Sequence, residues 1–173
     1  MSVAISFVKL HATGWEGNES VRVPLEKMDS EEHIHGELKI SWNGRVVPRL
    51  GYFGADDVCM NTWIQEFHAI VEALSKSETA CYVFDEGEQG QPAYRFQRED
   101  DWVYLSIVAS EISDGPGDPD FCDLKSEYTQ FIEEIREFLK RFDAVMRQTN
   151  VKTYEKWLSE WFPNGVVSAP SHQ

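Results

Sequence analysis

Thr79-Ala80-Cys81-Tyr82-Val83-Phe84, Tyr94-Arg95-Phe96-Gln97-Arg98 and Trp102-Val103-Tyr104-Leu105-Ser106-Ile107-Val108-Ala109 are three β-rich runs that follow one another directly. The second and third alternate apolar and polar residues, the pattern of a strand with one face buried. Asp85 to Pro92 separates the first two as a polar loop. Glu99-Asp100-Asp101 separates the last two as an acidic turn. Residues 79–109 therefore predict a three-stranded antiparallel meander. Strands joined by turns, with no strand–helix–strand alternation, argue against a doubly wound parallel sheet and for an α+β layer fold.

Upstream, Val3 to Leu10 alternates and predicts a strand, followed by a loop at Gly14-Trp15-Glu16-Gly17-Asn18. Ser20 to Met28 predicts a second strand, which Pro24 restricts to a sheet edge. His35 to Trp42 places Leu38, Ile40 and Trp42 on one face. Asn43-Gly44 follows, a strong two-residue hairpin signal, with Arg45-Val46-Val47 as the return strand. Met60, Ile64, Phe67, Val71 and Leu74 recur at helical spacing, so a helix is expected from about residue 56 to Ser75, capped by Asp56 or Asp57. Downstream, Tyr128, Phe131, Ile132, Ile135, Phe138, Leu139 and Phe142 form the stripe of a second long amphipathic helix over about 124–147. A short last helix, capped by Thr153, carries Tyr154, Trp157, Leu158 and Trp161. The expected architecture is an antiparallel sheet of N-terminal hairpin strands plus the meander, packed by two long helices and one short one. It forms a single domain over residues 1–165, with a frayed tail at 166–173.

Composition agrees with one packed domain. The chain has 173 residues, of which 42% are hydrophobic and 13% aromatic. A chain of this size buries roughly 70% of its unfolded surface and needs no disulfide or metal to fold. Cys59, Cys81 and Cys122 are odd in number and widely spaced, which fits reduced thiols and a cytoplasmic location. The N-terminus lacks a basic region and breaks its apolar run at Lys9, unlike a signal peptide. No run approaches the length of a membrane helix.

The formal net charge of −14 is concentrated. Residues 51–123 hold sixteen Asp and Glu against three Lys and Arg, while residues 1–50 and 124–173 are nearly balanced. Nucleic acid and anionic membrane need a basic footprint and are disfavoured as direct ligands. A basic protein partner, or a cation, is favoured instead. The densest stretch is Asp114-Gly115-Pro116-Gly117-Asp118-Pro119-Asp120-Phe121-Cys122-Asp123. Its carboxylates could ligate calcium, but the EF-hand spacing is absent and two prolines stiffen it. The expected reading is a solvated or preorganised acidic loop leading into the helix. Asp85, Glu86 and Glu88 form a second acidic loop, which meander topology places at the same end of the sheet. The 99–101 turn lies at the other end.

His33 and His35 are two apart and share a face on an extended chain, but no third ligand has recognisable spacing. Cys59 and His68 have no activating sequence beside them, and His68 reads as a partly buried structural residue. No P-loop, G-x-S-x-G, H-E-x-x-H or dinucleotide fingerprint occurs. The sequence therefore points to no catalytic residue, no metal and no cofactor.

Several stretches carry a resemblance. They are Gly44-Arg45-Val46-Val47-Pro48 through Gly51-Tyr52-Phe53, Trp63-Ile64-Gln65-Glu66-Phe67, Gln91-Pro92-Ala93-Tyr94-Arg95-Phe96, Trp102-Val103-Tyr104-Leu105-Ser106-Ile107 and the helix from Phe131 to Phe142. In layout and acidity the chain from about residue 35 to 142 resembles small bacterial proteins of the immunity-protein type. These are encoded beside secreted toxins and neutralise them by direct binding. The resemblance has no diagnostic motif and transfers no site residue. It implies a non-catalytic acidic binding module whose partner is a basic toxin or nuclease. The residues expected to meet that partner are Asp85, Glu86, Glu88, Asp114, Asp118, Asp120 and Asp123. Two alternatives are a carboxylate-based or metal-dependent enzyme and a structural subunit of a larger assembly.

Overall fold

The first strand, β1 (Val3–Glu16), is longer than its alternation suggests. A bulge lies between Val8 and His11, where Lys9 takes a positive φ of 55°. The strand thus runs on through Gly14 and Trp15, and the expected loop shrinks to a turn at Gly17-Asn18. Gly36 on the partner strand permits the bulge, because a Cβ there would stand 2.9 Å from Leu10 and 3.0 Å from the Val8 carbonyl. β2 (Glu19–Val23) returns antiparallel to β1 and stops at Pro24, where a 3₁₀ turn begins. β3 (His33–Trp42) pairs with β1, and Asn43-Gly44, both at positive φ, turn it into β4 (Arg45–Val46).

The described residues are 2–167 of this computed structural model. β5 (Val58–Cys59) adds antiparallel to β3, completing a five-stranded sheet. This corrects the expected helix start. Asp56 and Asp57 do not cap the helix; they are engaged by Arg22 and by His35. Helix α1 (Met60–Ser75) follows directly, with Cys59 at its N-cap and no side-chain cap bond.

The meander forms as β6 (Cys81–Phe84), β7 (Ala93–Glu99) and β8 (Trp102–Val108). A fourth strand, β9 (Leu124–Glu127), pairs antiparallel with β8. These residues were expected to open the long helix. The free edge of β8 takes their backbone groups instead, and Lys125 lies 3.7 Å over the Trp102 ring. Helix α2 (Tyr128–Trp161) spans both remaining expected helices. It is broken at Asn150, whose backbone is non-helical. The Asn150 side chain accepts from the Thr153 amide, so Asn150, not Thr153, caps the last segment.

The α+β class stands, as two antiparallel sheets and two helices. The aromatic stripe of α2 joins the sheets into one core. Phe131 meets Trp42 of β3 at 5.2 Å and Phe96 of β7 at 5.7 Å. Phe138 meets Phe7 of β1 at 5.6 Å and Phe67 of α1 at 5.1 Å. The two Phe138 contacts are edge-to-face and Phe131 stacks on Phe96, geometries that add to the burial of the rings themselves. Val166 is buried with this core, and residues 168–173 of the expected tail lie outside the described residues. No described helix is long and apolar enough to cross a membrane.

Candidate functional site: a histidine–cysteine row beside an acidic cleft

Cross-strand register explains the main cluster. His11 of β1 is opposite His35 of β3, and His35 is opposite Cys59 of β5. Three strands thus place three chemically active side chains in one row on one face of the sheet. Period-two alternation puts His33 and Asp57 on the same face. Val58 and Ile34, between them, point into the core and are fully buried. Asn61, buried at the start of α1, accepts from the Ile34 amide at 2.9 Å and pins β3 to the helix. The Trp157 indole donates to the Glu32 carbonyl at 3.2 Å and fixes the strand entry.

The row is coupled. Nδ1 of His35 lies 2.7 Å from the Asp57 carboxylate, and Nε2 of His11 lies 3.6 Å from the same oxygen. Nδ1 of His33 lies 3.7 Å from Cys59 Sγ. Burial pushes the Cys59 thiol up, but hydrogen bonds from His33, His35 and Thr62 outweigh it and bring its pKa down to about 5. Burial lowers the His35 pKa, and the Cys59 and Asp57 neighbours reverse that and raise it. A thiolate between two imidazoles can bind a borderline-soft metal or attack an electrophile. His33 and His35 line a cleft of about 580 Å³, together with Asp57, Glu32, Trp15 and Phe53. Trp15 and Phe53 are 71% and 72% exposed.

Thr62 links this row to a second, acidic cleft of about 430 Å³, lined by Glu66, Tyr82, Val83, Asp85, Glu86 and Glu88. Burial raises the Glu86 pKa to about 6, helped by the charges of Glu88, Cys59 and Glu66. Among the described residues no Lys or Arg lines this cleft. Burial also raises Glu66, against a 2.7 Å hydrogen bond from the Tyr82 hydroxyl.

The two acidic loops meet, at the end of the sheet where topology put them. The Ser110 hydroxyl and the Glu111 amide donate to Asp85, and the Gly90 amide donates to Asp114. Asp118 accepts from the Asp120 amide and faces Arg49 at 4.0 Å. Asp123 precedes β9 rather than a helix; it accepts from the Ser106 hydroxyl at 2.9 Å and pairs with Arg95 at 3.3 Å. Among the seven acidic residues expected to meet a partner, Asp85, Asp114, Asp118 and Asp123 thus hold the loops together. Glu86 and Glu88 line the cleft. His68 is half-buried, packs near Phe162, and is held below its usual pKa by burial.

Sequence reading missed Cys59 as a companion of His33 and His35. The available signal was a pair of two-residue spacings, His33-Ile34-His35 and Asp57-Val58-Cys59, each extended enough to face the other. No protein-family model, curated protein or solved structure matches this chain.

Proposed function

We propose that the chain is a non-catalytic binding protein that holds a basic protein partner against its acidic cleft, in the manner of an immunity protein and its toxin. One observation carries this reading: Glu66, Glu86 and Glu88 share a cleft and repel one another, and no Lys or Arg among the described residues lines it. A Lys or Arg side chain inserted there replaces repulsion with charge-assisted hydrogen bonds. The surrounding excess of Asp and Glu steers a basic partner toward the cleft and raises its on-rate. Ile112, 68% exposed and packed beside Gly87, and Val83, 47% exposed, offer apolar contact at the margin. Such contacts supply affinity where charge supplies selectivity.

The test is affinity capture from source lysate, at low and high salt, with wild type and a Glu86→Lys/Glu88→Lys double variant as baits. The expected result is a basic protein held by the wild type at low salt and released as salt rises. Its affinity for the double variant should fall by about tenfold or more. Equal retention by both baits, or no basic protein on the wild type, overturns the reading.

A further inference from the structure

We propose that His33, His35 and Cys59 bind a zinc ion through three protein ligands, leaving a fourth coordination position open to the cleft beside Trp15 and Phe53. The donor atoms of these three side chains lie within 4.8 Å of one another. Tetrahedral zinc, with Zn–S of about 2.3 Å and Zn–N of about 2.0–2.1 Å, requires ligand atoms about 3.5 Å apart. His33 Nδ1 and Cys59 Sγ, at 3.7 Å, already stand near that separation. The remaining closure is about 1 Å, within the reach of side-chain rotation, given the coordination distances of zinc.

The surroundings are those of a ligand set held in place. Asp57 accepts from Nδ1 of His35, which fixes the ring; zinc would then take the place of the proton that Cys59 and the second ring nitrogen share. This carboxylate–histidine pairing is the usual outer support of a zinc-bound imidazole. The Trp161 ring meets His33 edge-on at 4.8 Å and restrains the exposed histidine. All three ligands stand on paired strands, so the sheet itself sets their spacing. Two imidazoles and a thiolate suit zinc, which is borderline-soft; an all-oxygen set would suit calcium or magnesium. Both histidines line the cleft, so the open position faces solvent and an incoming ligand. Three protein ligands with one exchangeable position is the arrangement of a zinc that binds something further, as opposed to a closed structural site. This inference stands apart from the binding of a basic partner at Glu86 and Glu88, and either can fail alone.

The experiment titrates the purified full chain with cobalt(II) as the spectroscopic substitute and zinc as the competitor. One equivalent of cobalt should give a thiolate-to-metal charge-transfer band in the near ultraviolet, and one equivalent of zinc should abolish it. Cys59→Ser should remove the band. His33→Ala and Asp57→Asn should each weaken metal affinity by about 10–100-fold. His33 is exposed, so its variant tests the site without touching the core. Peptide-resolved alkylation gives an independent readout: zinc should slow modification of Cys59 and leave Cys81 and Cys122 unchanged. Absence of the band, its persistence in Cys59→Ser, or alkylation of Cys59 that ignores zinc overturns the proposal. The last outcome would identify Cys59 as a free nucleophile.

Discussion

The loop at 110–123 and the cleft of Glu66, Glu86 and Glu88 are both acidic, yet their carboxylates live in opposite conditions. In the loop, Asp114, Asp118 and Asp123 each accept a hydrogen bond: Asp114 ties it to the neighbouring acidic loop, Asp118 closes a turn, and Asp123 ties it to a strand. Ser106 keeps Asp123 ionised to lower pH than usual, with Arg95 assisting. In the cleft, burial and like charge push Glu86 the other way. The first region uses charge to fold, and the second holds charge that folding leaves uncompensated. Charge density along a sequence does not distinguish them; the donors available in three dimensions do.

The sharpest way to break this contrast is at Gly115. A Cβ there would overlap the Gln91 carbonyl, so Gly115→Ala must force the two acidic loops apart. A loss of about 3 kcal/mol or more is expected in urea unfolding, the upper range for overpacking. A near-neutral result would mean that the loops are not held together as described. Asp123→Ala should cost about 1–2 kcal/mol, because it removes an acceptor from the Ser106 hydroxyl, which is 2% exposed. Asp123→Asn should cost less, since asparagine tolerates the positive φ of 48° and still accepts a hydrogen bond.

Glu86→Gln should act in the opposite direction and by the smallest amount. The folded pKa of about 6 lies above the ordinary 4.5, so the native state prefers the protonated carboxyl. Ionised Glu86 therefore destabilises the fold. That cost is absent below about pH 4.5, grows as pH rises toward 6, and is complete above it. With solvent screening of a partly exposed group, glutamine should gain about 1 kcal/mol above that window and nothing below it. Urea midpoints at the two ends of the range measure it. A loss of stability at high pH would show that Glu86 has a cationic partner, and the two acidic regions would then be alike.

Much of the fold was legible because burial writes a period into the chain. The meander, the Asn43-Gly44 hairpin and the stripe from Phe131 to Phe142 all follow from alternation or helical spacing. Short strands were not legible. Val58-Cys59 and Leu124 to Glu127 are strands because a neighbouring edge offers hydrogen bonds, which local sequence does not encode. The kink at Asn150 was half legible: the break was expected, but its cap was assigned to Thr153. The acidic loops were placed at one end of the sheet correctly. The histidine–cysteine row was not seen, since Cys59 reaches His35 only through the pairing of β5 with β3.

The extra residue at Lys9 has a consequence for how the chain can change. Ahead of it, Val3, Ile5 and Phe7 turn their odd-numbered side chains to the core; beyond it, His11 and Thr13 turn theirs to the opposite face. The strand thus shifts phase once, and membership of the row depends on chain length rather than on residue identity alone. Deleting the extra residue at Lys9 or Leu10 would restore plain alternation and still leave His11 opposite His35, whereas one further inserted residue, without a second bulge, would carry it to the wrong side of the sheet.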